Sequence, residues 1–144
     1  MRKPTPFAFW GRDRDARVAY NRLPMGLQGL TVERYEGVAQ DQRILLLRGP
    51  ITIETAPQFE RAVRHEQAET VILDLSDVPY IDSVGLGSLV AAYVSHQKAG
   101  RCLVLTAVKP RVHKIMEITK VNEFFVTFST TWEAVEAMAN TGSA

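Results

Sequence analysis

Cysteine is nearly absent from this chain: Cys102 is the only one. A single thiol excludes an intrachain disulfide and fits a reducing compartment. Long apolar runs are missing as well. None approaches the roughly 18–20 residues that cross a bilayer, and the early positive charge at the N-terminus is not followed by the apolar stretch of a signal peptide. A cytoplasmic protein without membrane insertion is expected. Net charge is scarce, since 17 basic and 16 acidic residues leave +1, so the overall balance points to neither nucleic acid nor an acidic substrate. The three histidines, His65, His96 and His113, fall on predicted helices among charged neighbours and lack the paired spacing of metal ligands. They read as solvated surface, and no metal or cofactor is expected. Cys102, in the apolar run Cys-Leu-Val-Leu, reads as a small core residue.

What remains is the composition of an ordinary globular domain. A chain of 144 residues buries about 68–70% of its extended surface, enough for a true core, and 46% hydrophobic with 23% charged content fits that class. The charge is uneven: six basic residues against Asp13 and Asp15 give residues 1–22 a local +4. Pro4, Pro6, Gly11, Pro24, Gly26 and Gly29 punctuate residues 1–29, with Phe7, Phe9 and Trp10 as the early apolar anchors. This stretch is read as an N-terminal extension, either a flexible arm or one that docks on the domain or a second subunit. Residues 30–140 form the domain and 141–144 a short tail.

Periodicity supplies the elements. Residues 30–36 alternate apolar and polar as a half-buried strand does, and residues 43–48 form a second, deeper strand after a turn, so the pair should be an antiparallel hairpin. Thr55, a proline in the first turn and Gln58 suggest a capped helix start with a capping box, and Phe59, Ala62 and Val63 its inner face. Residues 71–75 read as a strand covered on both faces. A helix follows over 84–98, with Leu86, Leu89, Val90, Tyr93 and Val94 inward and Gly100 ending it. A strand over 102–107, a helix opened by Pro110, a strand over 124–128 and a helix over 131–140 complete the alternation. The expected fold is α/β: a mixed sheet with an N-terminal hairpin and about four flanking helices.

Enzyme motifs are tested and fail. Gly85 and Gly87 lack the third glycine of a dinucleotide fingerprint, Val90 standing there, and no Gly-Lys-Ser or Gly-Lys-Thr forms a P-loop. Ser83 has Ile81 where a hydrolase elbow needs glycine, and no histidine base is evident. Asp74 lies inside a strand without the partners of a phospho-aspartate site. The surviving feature is Asp82-Ser83 at a strand-to-helix turn. Either residue could cap the helix, and a hydroxyl at its positive end is a suitable place for a phosphate. An ordinary cap remains equally compatible with these residues.

The run from Asp74 to Gly87, with Pro79, Asp82, Ser83, Gly85 and Gly87 in place, resembles the signature of STAS domains, the fold shared by sulphate transporter tails and bacterial anti-sigma factor antagonists. The likeness extends over about residues 30–140, through Gly49 to Thr52 and through the segment from Pro110 to Phe125. It implies a non-enzymatic binding module with no catalytic residue. Its partner would be an anti-sigma factor that is itself a serine protein kinase; a phosphatase resets the switch, and a homodimer is left open. Ser83 matches the phosphorylated serine, and Asp82, Ser83, Val84, Gly85 and Leu86, with Thr52, match the partner-binding surface. The alternative within the resemblance is a non-switching subunit of a lipid-transport ABC system or of a stressosome-like scaffold. Two positions depart from the family pattern: Thr52 replaces the usual acid after the second strand, and Lys120 the usual glycine after the third helix.

Overall fold

Alternation of strand and helix carries through the computed structural model, which describes residues 29–39 and 41–142. The extension read from residues 1–29 lies outside them except for Gly29. Strand β1 (Thr31–Glu36) pairs antiparallel with β2 (Gln42–Arg48), from Thr31 opposite Arg48 to Glu36 opposite Arg43. Helix α1 (Ala56–Arg64) leads to β3 (Thr70–Asp77), α2 (Ser83–Lys98) to β4 (Cys102–Thr106), α3 (Pro110–Ile118) to β5 (Thr127–Phe128), and α4 (Thr131–Gly142) follows. From β2 onward every pairing is parallel, and the strands lie in chain order, β1-β2-β3-β4-β5.

Two-residue periodicity divides the core between the sheet's faces. Val32, Leu45, Leu47, Leu73 and Leu105 pack with Phe59 and Val63 of α1, Leu86 and Leu89 of α2, and Val112 and Met116 of α3. On the other face Tyr35, Ile44, Leu46, Ile72 and Val104 meet Ala134 and Val135 of α4. Asp74 is one of several buried polar residues, and its neighbours explain it. Its carboxylate accepts from the Ser76 amide and hydroxyl (2.9 and 2.7 Å) and from the Thr131 hydroxyl (2.8 Å). Thr106 then donates to Thr131 at 2.7 Å, since the Thr131 proton is already directed to Asp74. This chain of hydroxyls anchors the start of α4 to β3 and β4.

Several expectations need correction. Thr55 does precede α1, but its hydroxyl donates to the Pro50 carbonyl (2.7 Å) and accepts from the Thr52 amide (2.9 Å), making no helix cap. Gln58 likewise accepts from the Leu30 amide at 3.1 Å, tying α1 to the start of β1. Cys102 is exposed because it opens β4, ahead of the covered residues. His96 is only 3% exposed, not solvated, whereas His65 and His113 are at the surface. Val94 faces out, and Ser88 and His96 occupy the buried stripe beside Leu89. The last strand is just two residues long, because residues 121–125 turn to place Phe125 edge-on to Tyr93, centroids 5.2 Å apart.

Helix ends follow the sequence more closely. Gly100, at φ 76°, closes α2 by donating to Gln97 while Arg101 donates to His96, the paired bonds of a Schellman motif. Lys120 does the same for α3 at φ 63°, with Val121 donating to Met116. A lysine in that left-handed conformation costs on the order of 1 kcal/mol relative to glycine.

Candidate functional site at the start of the second helix

At the carboxyl end of the parallel strands, the β2–α1 and β3–α2 loops are joined by their backbones. Gly49 donates to Asp77 (3.0 Å), Ile51 to Tyr80 (3.3 Å) and Asp82 to Ile51 (3.2 Å), and Ile51 and Ile81 form an isolated parallel bridge. The Asp82 side chain completes the junction. One carboxylate oxygen accepts from the Gly85 amide at 2.8 Å, capping α2, and the other accepts from the Ile53 amide of the neighbouring loop at 3.0 Å. These bonds, that to Gly85 foremost, hold the Asp82 carboxyl below the usual carboxylate pKa.

Capping therefore falls to Asp82, which leaves Ser83 uncommitted. Ser83 is the first residue of α2 and is exposed, and its hydroxyl has no partner among the described residues. Gly85 makes this turn possible. A Cβ there would lie 1.9 Å from the Ile51 carbonyl oxygen, so only glycine lets the helix approach the loop this closely. Gly87, one turn-face away, meets nothing within 4 Å and is open to solvent.

The six expected contact residues thus divide by position. Ser83 and Val84 (43% exposed) present surface, Asp82 and Thr52 are half-buried, and Gly85 and Leu86 are buried beneath them. Thr52 is in the loop that Asp82 grips, but its hydroxyl turns back to accept from the Glu54 amide at 3.2 Å. The structure adds residues that the sequence reading missed. Ile53 (63% exposed) and Tyr80 (38%) flank the joined loops as exposed apolar side chains. Arg111, in the first turn of α3, stacks over the Tyr80 ring at 4.9 Å and brings a third element to this end of the sheet. An isoleucine between two polar turn residues was the available signal for the first. Nothing local to the sequence pairs Tyr80 with Arg111.

A hydroxyl at a helix start, a rim of exposed apolar residues and a buried glycine seat thus meet at this end of the sheet. Residues 30–134 match the STAS domain family. The chain belongs to that family. Within it, the chain is of the anti-sigma factor antagonist type, a class of non-enzymatic regulators. It is 33% identical over 82 residues to the anti-sigma-B factor antagonist of Listeria monocytogenes, covering 55% of this chain and 72% of that protein. The fold of an anti-sigma factor antagonist from Mycobacterium paratuberculosis superposes with a TM-score of 0.68 at 23% identity, over 78% of this chain and 96% of that one. SpoIIAA has been solved in unphosphorylated form (TM-score 0.62, 16% identity, 76% and 97% covered) and, from Bacillus, in phosphorylated form (0.57, 15%, 75% and 99%). These STAS likenesses establish the five-stranded mixed sheet with its N-terminal hairpin and four helices. Among the described residues no helix is long and apolar enough to cross a membrane.

Proposed function

We propose that this STAS domain is a phosphorylation-switched anti-sigma factor antagonist acting in the cytoplasm, with Ser83 as phosphoacceptor. The observation that carries the reading is the division of labour at the helix start: Asp82 supplies the cap, so the Ser83 hydroxyl is exposed and unbonded. In its unmodified form the surface around Ser83, with Val84, Ile53 and Tyr80 exposed, binds an anti-sigma factor that is also a serine kinase. Thr52 contributes through the loop it shares with Ile53. Phosphorylation adds about −1.5 to −2 charges at the centre of that apolar rim and opposes docking by desolvation and repulsion. The domain tolerates the charge, since it sits at the positive end of α2. A phosphatase restores the binding form. That SpoIIAA exists in both phosphorylated and unphosphorylated forms supports the same reading for this relative of its fold.

A switch from 99:1 to 1:99 needs about 5.5 kcal/mol of differential affinity, within reach of a charge enclosed at an interface. The test is incubation with a cognate anti-sigma kinase and ATP, followed by peptide mapping. One phosphate on Ser83 is expected, with Ser83→Asp weakening the complex and Ser83→Ala holding it in the bound state. Phosphate on another residue, or capture of a transporter ATPase in place of a kinase, would overturn the switch and favour a constitutive subunit.

A further inference from the structure

Further along α2 from Ser83, helices α1 and α2 enclose a groove of about 450 Å³, within the size range of small-molecule sites. Small residues of α2, Ala91 and Ala92 among them, leave the space; Glu60 and Arg64 of α1, Ser88, Ser95 and His96 of α2, and Arg101 surround it. Glu60 and Ser88 bond to each other, but the two arginines bond to none of the other groove residues. Arg64 has no hydrogen-bond or ion-pair partner among the described residues. Arg101 is anchored by one bond, Nη1 to the Glu66 carbonyl at 3.3 Å. Glu60 is engaged at 2.7 Å by the Ser88 hydroxyl, which leaves it further acceptor positions but makes it a poor seat for a bare ammonium group.

His96 supplies the independent indication. It is 3% exposed, and its Nδ1 faces the Ala92 carbonyl at 3.1 Å, so Nδ1 carries the proton. Burial lowers the proton affinity of the ring, with Arg101 acting in the same direction and the Ala92 carbonyl and Glu66 against it. Nε2 is then a lone-pair acceptor, buried and without a hydrogen-bond partner. An orphan acceptor in a groove wall calls for a donor that the protein does not provide.

We infer that this groove binds a small phosphorylated sugar or polyol, its phosphate held by Arg64 and Arg101 and its hydroxyls donating to His96 Nε2 and Glu60. Two guanidinium groups against one carboxylate select an anion, and guanidinium geometry suits a phosphate. The free acceptors select hydroxyl donors at the other end of the ligand. Because Nε2 is buried, entry of the ligand hydroxyl requires a side chain lining the groove to move aside. The site is separate from Ser83 and stands whether or not Ser83 is phosphorylated.

The experiment is titration of the ¹⁵N-labelled full chain with ribose 5-phosphate, read at the His96 Nε2 resonance, with ribose, inorganic phosphate and serine as comparison ligands. A saturable His96 shift is expected, with ribose and inorganic phosphate each binding more weakly by about tenfold or more. Arg64→Gln should weaken ribose 5-phosphate by a similar factor. Ala91→Leu, at an exposed groove position, should abolish the shift while the amide spectrum stays folded. No saturable shift, equal affinity for ribose and ribose 5-phosphate, tighter binding of serine, or undiminished binding by Arg64→Gln would each overturn the assignment.

Discussion

Two carboxylates, one near each end of the sheet, are satisfied in different ways. At the amino end Glu66, in the link between α1 and β3, binds two guanidinium groups: Arg34 from β1 and Arg43 from β2, the latter at 2.9 Å. Its charge raises the pKa of Arg43 through that hydrogen bond, and its side chain is 6% exposed. At the carboxyl end Asp82 binds backbone amides alone, those of Gly85 and Ile53. Ion pairs occur at both ends, since Arg48 binds Glu33 at 3.0 Å and Asp77 at 3.1 Å at the carboxyl end. The junction that carries Ser83 is nevertheless gripped by Asp82 through amides, with no cation on that carboxylate. Rigidity of this junction without a cation on Asp82 is what the proposed switch at Ser83 would use.

Removing the Glu66 carboxylate should have the largest effect. Glu66→Ala leaves two guanidinium groups facing a gap, and breaking a buried pair typically costs 3–5 kcal/mol. Because both arginines remain about a quarter exposed (27% and 29%) and can be rehydrated, a loss of about 3 kcal/mol in urea unfolding is expected. A cost below that of an ordinary surface substitution would mean the amino end is not held by this pair.

Gly85→Ala tests the opposite end. The added methyl meets the Ile51 carbonyl, a backbone atom that moves only with its loop, so a loss of about 1–3 kcal/mol is expected. The Ile53 amide should lose hydrogen-exchange protection at the same time. Retained protection would show that the junction does not depend on close approach at residue 85.

Acidification should separate the ends without mutation. His96, near the amino end, has its pKa lowered by burial from the ordinary 6.5. Its contribution is complete above that value and is lost as pH falls through the lowered pKa, because the unfolded chain takes up the proton first. Asp82 also has a lowered pKa, from an ordinary 3.8. Its contribution is complete above that ordinary value and disappears only as pH drops further, through the folded-state pKa. Amide exchange around Gly100 and Arg101 should therefore accelerate at a higher pH than exchange at Ile53 and Gly85. The reverse order would contradict the assignment of His96 as a buried neutral ring.

Gly87→Ala should have the smallest effect and the opposite sign. With open space around residue 87, replacing glycine inside a helix should stabilise by up to about 1 kcal/mol. If a partner covers this flank of α2, binding should weaken although the domain is more stable. Unchanged affinity would confine the contact to the side of Ser83 nearer Ile53.

Legibility in the sequence followed how local each interaction is. Strands and helices were readable because Leu45, Leu47 and Leu73 repeat every second position and Leu86 and Leu89 every third, and both patterns report burial directly. The cap at Asp82 was readable as one of two choices, which its bond to the Gly85 amide decides; its second bond, to Ile53 across 29 residues, was not readable. Local signals failed where a distant group competed. The pattern at Thr55 and Gln58 fits a capping box, yet Pro50 and Leu30 take those side chains. His96 lies among Ser95, Gln97 and Lys98 and reads as surface, but it falls on the side of α2 that faces α1. Ile53, Tyr80 and Arg111 assemble only when three loops meet at one end of the sheet.

Strand order in space repeats strand order in the chain. During synthesis, each new strand after the first would leave the ribosome with its neighbour already made, so the sheet can lengthen from one edge without waiting for a later segment to insert. Polypeptides arrested after β4 would already contain four of the five strands, and the missing β5 is the shortest. Birth order and architecture coincide here, which favours early compaction and keeps the unpaired edge brief in time as well as in length.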